Sequence, residues 1–290
     1  MKNAFSYVAS IFVSVLLVFC ILGVAGAGVA KLCANSNQLR NIAEKHDIDE
    51  KVYSELERYF HERSSATGIP ENVYMDAIDT DYLDDIIDQI IVNGFQQLRG
   101  GNATVEMNNE ELEASIDTFF NDYADSIGYK KDDKFEQKLD ATKNSAYNTI
   151  REYCDVYKFG ALESHGVLAK ASKVYTHLDF ILVGGAAIML VLIVTLLIFN
   201  LNAPSESVYW SGVSMLIAGI IAAAPCVYLL ATDYFSSFSI KQPQIYTAYT
   251  ETMKLGTNAF MYTGIVLACV GLLLIIVYAI TRPKNAQKKA

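Results

Sequence analysis

Charge is missing from four long stretches of this 290-residue sequence: residues 5–30, 180–199, 207–232 and 255–281 contain no Asp, Glu, Lys or Arg. A hydrocarbon core about 30 Å thick takes about 20 helical residues, each rising about 1.5 Å, and every one of these runs is long enough. With 52% hydrophobic and only 19% charged residues, the chain is too apolar for an ordinary soluble protein. The absence of charge therefore predicts four transmembrane helices. It also argues against a transporter or channel, which places ionisable groups inside its spans. Here Asp179 and Asp233 stand only at span edges, and no inverted repeat relates the two halves.

Other shortages exclude chemistry. Residues 31–177 hold 16 Lys and Arg against 28 Asp and Glu, a balance of −12. Such a surface does not track phosphates, so nucleic acid is not an expected partner. The four histidines, His46, His61, His165 and His177, have no zinc-ligand spacing, and His61-Glu62 lacks the second His of a zincin helix. No G-x-S-x-G, Walker loop or dinucleotide fingerprint occurs. The sequence thus nominates no catalytic residue, no cofactor and no metal ligand. Asp81, Asp84, Asp85 and Asp88 form an acidic ladder, but the alternating carboxylates and turn glycine of an EF-hand are missing. Of five cysteines, Cys20, Cys226 and Cys269 fall inside spans. Cys33 and Cys154 fall outside and would pair only if the chain brought them together.

What is present gives a topology. Small residues at Gly28-Val29-Ala30 offer a signal-peptidase site, but an uncharged run of 26 residues exceeds the apolar core of a cleavable signal, about 7 to 15 residues. The first run reads as an uncleaved signal anchor. Lys2 at one end and Arg282, Lys284, Lys288 and Lys289 at the other put both termini in the cytoplasm by the positive-inside rule. The expected order is a short cytoplasmic N-terminus (1–4), helix 1 (5–30), an acidic helical extracytoplasmic domain (31–177) and helix 2 (178–200). A cytoplasmic loop (201–207), helix 3 (208–232), an outer loop (233–254), helix 4 (255–281) and a basic cytoplasmic tail (282–290) complete it. The expected location is the plasma membrane.

Span count alone assigns no family. The layout resembles that of the cell-division and export permeases that partner ABC ATPases, yet the loop NLNAPSESVYW, uncharged apart from Glu206, offers an ATPase little to hold. Neither the Gly-Leu-Trp with paired cysteines of claudins nor the Cys-Cys-Gly of tetraspanins is present.

No alternating strand pattern of useful length competes with the helical stripes. Leu83, Ile86, Ile87, Ile90, Ile91 and Phe95 recur at three and four residues, with Asp79 or Thr80 as cap. Leu112, Ile116, Phe119, Phe120, Tyr123 and Ile127 form a second stripe opened by Asn108 or Asn109, and Phe135, Leu139, Ala146, Ile150, Tyr153 and Tyr157 a third. Residues 37–64 read as one imperfect helix, and a short helix follows with Pro70 in its first turn. The fold class is all-α: four transmembrane helices with a bundle of four or five helices inserted between the first two. From Ala161 through His177 the chain has few breakers besides Gly166, so a helix is expected to run into the second span.

Small residues four apart, Gly23 with Ala27 and Gly26 with Ala30, and others in each later span, suit close helix packing within the chain or in a homo-oligomer. Pro225 is expected to kink the third span. Asn102-Ala103-Thr104 is a glycosylation sequon. Aromatic residues of the outer loop, Tyr234, Phe235, Phe238, Tyr246 and Tyr249, anchor at the headgroups, pack under the domain or line a slot. The expected function is non-enzymatic. The outer domain binds a partner or ligand, as in a sensor-like or assembly subunit, and the expected partners are the lipid bilayer and a protein engaged through the outer domain or the cytoplasmic tail. The competing expectation is a membrane-surface hydrolase or acyltransferase using His165 or His177 with Ser164, Glu163 and Asp179.

Overall fold

The computed structural model describes residues 2–101, 105–201 and 203–281, with side chains from Ser6 onward. The sequon at 102–104 and the basic tail lie outside the described residues. Among those described there are no strands, and the chain order is α1 (Lys2–Cys33), α2 (Ser36–Lys45), α3 (Ile48–Thr67), α4 (Asn72–Met75), α5 (Thr80–Leu98), α6 (Glu110–Ser126), α7 (Asp133–Cys154), α8 (Phe159–Ser164), α9 (Val167–Phe199), α10 (Pro204–Ala231), a 3-10 turn (Tyr234–Ser237) and α11 (Pro243–Thr281). The four uncharged runs fall in α1, α9, α10 and α11, each long and apolar enough to cross a membrane. The chain divides into two compact units: an apolar one made of 1–33, 174–237 and 253–290, and an acidic one made of 34–173 and 238–252.

In the apolar unit the large side chains point outward. Phe12, Phe19, Phe180 and Ile280 are each at least 69% exposed, as suits a surface meeting hydrocarbon. The interior is built from Val13, Leu17, Val18 and Ile21 of α1 with Leu196 of α9 and Ala218 of α10. Glycines bring α10 and α11 together. A Cβ placed on Gly219 would stand 2.4 Å from the Ala268 backbone nitrogen, one on Gly264 2.7 Å from the Ala223 nitrogen, and one on Gly271 2.5 Å from the Leu216 nitrogen. Backbones that approach this closely gain dispersion contacts along both helices, which is how helices associate where lipid removes the hydrophobic drive. In α1 the small residues behave differently. Nothing lies within 4 Å of a Cβ at Gly23 or Gly26, whereas Gly185 of α9 closes on Val24. Helix α10 continues through Pro225.

The acidic unit buries its large apolar residues. Ile48, Leu56, Leu83, Ile86, Ile87, Ile91, Leu112, Ile116 and Ile150 are all less than 2% exposed, which joins the faces of α3, α5, α6 and α7 into one core. The expected single helix over 37–64 is two helices, because Asp47 adopts a left-handed φ of 48° between α2 and α3. Pro70 falls just ahead of α4, its carbonyl accepting from the Val73 N–H. The Asp79 carboxylate caps α5 by accepting from Tyr82 N–H at 2.7 Å. Asn109 sits at the start of α6 without capping it, since its side-chain oxygen accepts the Tyr82 hydroxyl at 2.9 Å instead. The third stripe breaks after Cys154. The Asp155 carboxylate accepts from the backbone N–H groups of Phe159 and Gly160, each at 2.8 Å, and so starts α8. Phe159 then seats on Gly94 of α5, where any Cβ would meet its ring at 2.5 Å.

The helix expected from Ala161 to His177 is interrupted. Gly166 takes a left-handed φ of 65°, which ends α8 and lets α9 begin at Val167. Residues 233–254, read as a loop, contain the 3-10 turn and the first turns of α11. There Gln244, Ala248 and Thr250 are buried, and Tyr249 donates its hydroxyl to the Tyr157 carbonyl at 2.8 Å within the acidic unit. The bundle therefore contains more pieces than the expected four or five, because caps and left-handed residues divide stretches that periodicity alone reads as continuous.

Candidate functional site

The acidic unit contains an open groove of about 480 Å³ between α3, α4, α6 and α7. Its floor includes Phe60, Tyr74, Ile69 and Phe120, and its rim Tyr59, Arg63, Lys138 and Ser145. Phe60 and Tyr74 stack face to face, ring centroids 4.2 Å apart at 15°, so that each covers one face of the other. The Arg63 guanidinium lies over the Tyr59 ring at 4.6 Å, a cation–π contact that orients the cation without neutralising it. Burial raises the Tyr74 phenol to about 12, with Tyr59 adding to the shift, so the ring stays neutral at physiological pH. The Thr67 hydroxyl donates to the Arg63 carbonyl at 3.0 Å and Thr142 to the Lys138 carbonyl at 2.9 Å, so both already have partners within their own helices.

Aromatic residues continue past Lys138. Phe120 and Lys138 also line a smaller hollow of about 190 Å³ with Tyr123, Ile127, Tyr129 and Phe135. The second stripe is therefore only half used for the core: Leu112 and Ile116 are buried, while Tyr123 and Ile127 are 58% and 56% exposed.

The acidic ladder is divided among different tasks. Asp88 pairs with Arg40, whose Nε donates at 2.7 Å, and Arg40 is pushed further up by that carboxylate. Asp84 shares a small polar hollow with Arg40, Asn37 and Glu44. Its carboxyl is held above the ordinary range by burial, then by the charges of Asp88, Asp49, Asp85 and Glu44. Among the described residues, no three His, Cys, Asp or Glu side chains are grouped as a metal site would need.

Of the residues of the enzyme reading, Ser164 and His165 do approach, Oγ 3.3 Å from Nδ1. His165 Nδ1 lies closer, 2.7 Å, to the Ala161 carbonyl, an acceptor, so that nitrogen is a donor and not a base toward the serine. Ser164 donates to the same carbonyl at 2.9 Å, and Glu163 accepts from Gln97 at 3.4 Å. His177 belongs to the apolar unit together with Asp179, which pairs with Lys31. His46 lies 3.5 Å from Glu251, and His61 Nδ1 2.5 Å from the Glu71 carboxylate. Cys33 and Cys154 are both free, and Cys154 is completely buried, which pushes its thiol upward.

The apolar unit holds a polar seam of its own. Asn200 donates to Ser10 Oγ at 3.0 Å and to the Leu196 carbonyl at 2.9 Å, Ser207 donates to Leu196 at 2.9 Å, and the Ser214 hydroxyl shares its proton between the Ser14 carbonyl at 3.1 Å and the Trp210 carbonyl of its own helix at 2.9 Å. These bonds tie α1, α9 and α10 together.

No protein-family model, curated protein or solved structure matches the chain. Function therefore has to be argued from this geometry. Neither the groove nor the seam emerged from the sequence reading. For the groove the available signal was the second stripe, which carries more aromatic surface than one helix face needs. For the seam it was the recurrence of serine along the first and third apolar runs.

Proposed function

We propose that this is a non-enzymatic multi-pass membrane protein whose acidic helical unit lies outside the cytoplasm and binds a ligand or partner, as a sensor-like or assembly subunit does. The observation that carries the reading is the groove lined by the stacked Phe60–Tyr74 pair. It has the volume of a small-molecule site, aromatic residues on its floor and charged residues at its rim. The cationic residues at 2 and 282–289 support the orientation.

Two measurements test it. A cysteine placed at exposed Lys130 should react with a membrane-impermeant maleimide in sealed cells, and protection of that thiol until lysis would overturn the orientation; buried Cys154 is unsuited to this purpose. For the activity class, a His165→Ala/His177→Ala variant should keep the chain's cellular phenotype while Ser145→Trp, which obstructs the groove, should lose it. The reverse pattern favours the hydrolase or acyltransferase.

A further inference from the structure

The acidic unit holds 16 Lys and Arg against 29 Asp and Glu, so a surface opening chosen at random would be lined mainly by carboxylates. The groove over Phe60 and Tyr74 is the opposite: Arg63 and Lys138 line it, and no Asp or Glu does. Neither cation forms an ion pair among the described residues, and Arg63 is held over an aromatic ring rather than beside an acid. An unpaired guanidinium and an ammonium in a groove with aromatic walls have complementary demands. The cations favour an anionic headgroup, and the lining of Phe60, Ile69, Tyr74 and Phe120 favours an apolar, aromatic body.

We infer that this groove takes a small aromatic carboxylate, with the acid group held by Arg63 and Lys138 and the ring lodged among the apolar side chains of Phe60, Ile69, Tyr74 and Phe120. The inference rests on the binding function proposed above and specifies its ligand class. The surrounding acidity then acts as a filter. Cationic molecules are drawn to the unit in general but meet two cations at this site, while an anion meets no carboxylate among its lining residues.

Isothermal titration calorimetry of the full chain in phosphatidylcholine nanodiscs, with empty discs subtracted, tests it with 2-naphthoate, its neutral isostere 2-naphthamide and the cation 2-naphthylmethylammonium. Naphthoate should bind saturably at one site, the amide about tenfold more weakly, as loss of a charge-assisted pair implies, and the ammonium not at all. Arg63→Gln/Lys138→Gln should abolish the preference for acid over amide, and Ser145→Trp should remove both. Equal affinity for acid and amide, an unchanged preference in the double variant, or no saturable naphthoate binding would overturn the ligand class. If that class fails while Ser145→Trp still abolishes the cellular phenotype, the binding function stands and only its ligand is wrong.

Discussion

The apolar and acidic units are built inside out with respect to one another. In the acidic unit the interior is filled by large side chains, Ile87 of α5, Ile116 of α6 and Ile150 of α7 being fully buried. In the apolar unit the closest packing is between backbones, where Gly219 and Gly264 have no side chain, and its interior keeps Ser10, Ser14, Ser214 and Asn200 while Phe12 and Phe180 face out. The difference follows from the solvent each arrangement suits. Water rewards removal of apolar area. Hydrocarbon does not, so only contact distance and hydrogen bonds remain to select the partner face.

The sharpest test of this contrast replaces absent side chains in the apolar unit. A Gly219→Ile/Gly264→Ile variant should give no monodisperse protein by size-exclusion chromatography in detergent, because each new side chain meets opposing backbone. A normal profile would mean that the glycines are not what holds α10 to α11. Next in size is a deletion in the acidic core. Ile87→Ala should cost about 3 kcal/mol, read as a lower melting temperature and faster amide exchange along α5. The matched change Phe180→Ala, at an outward position, should leave the melting temperature nearly unchanged.

A smaller effect is expected from the seam. Ser214→Ala should lower stability in a detergent unfolding titration by about 0.6 kcal/mol, the usual size of an interhelical hydrogen bond in membrane proteins. The smallest change is a gain. Asp84 has a raised folded-state value, so the unfolded chain releases its proton first, and ionised Asp84 opposes folding once pH rises above the ordinary 3.8. Asp84→Asn should therefore raise stability at pH 7 by about 0.5 kcal/mol, with the gain disappearing as pH falls below about 4. A loss at neutral pH would show that its carboxylate is needed in the Arg40 and Asp88 cluster.

Local patterns were legible where local physics decides. The stripe of α5 and its Asp79 cap could be read directly, since both depend on residues within one helical turn of each other. Breaks were less so. Asp47 takes a left-handed φ although it is not a glycine, so residue type did not mark that break, whereas Gly166 stood out as a breaker without fixing whether the helix stops there. The histidines illustrate the same limit: adjacent Ser164 and His165 suggest catalysis as sequence, yet, although 3.3 Å apart, each makes its shorter hydrogen bond to the Ala161 carbonyl.

From the sequence alone came the all-helical class, the four runs suited to lipid, the uneven distribution of charge and the apolar face of each main helix. These depend on composition and on a period of 3.6 residues, both properties of short segments. Only tertiary structure decided that Arg63 of α3 and Lys138 of α7 share a groove with Tyr74, and that Gly219 meets Gly264. Periodicity states which face of a helix avoids water, but which other face it meets depends on shape and on contacts between segments remote in the chain.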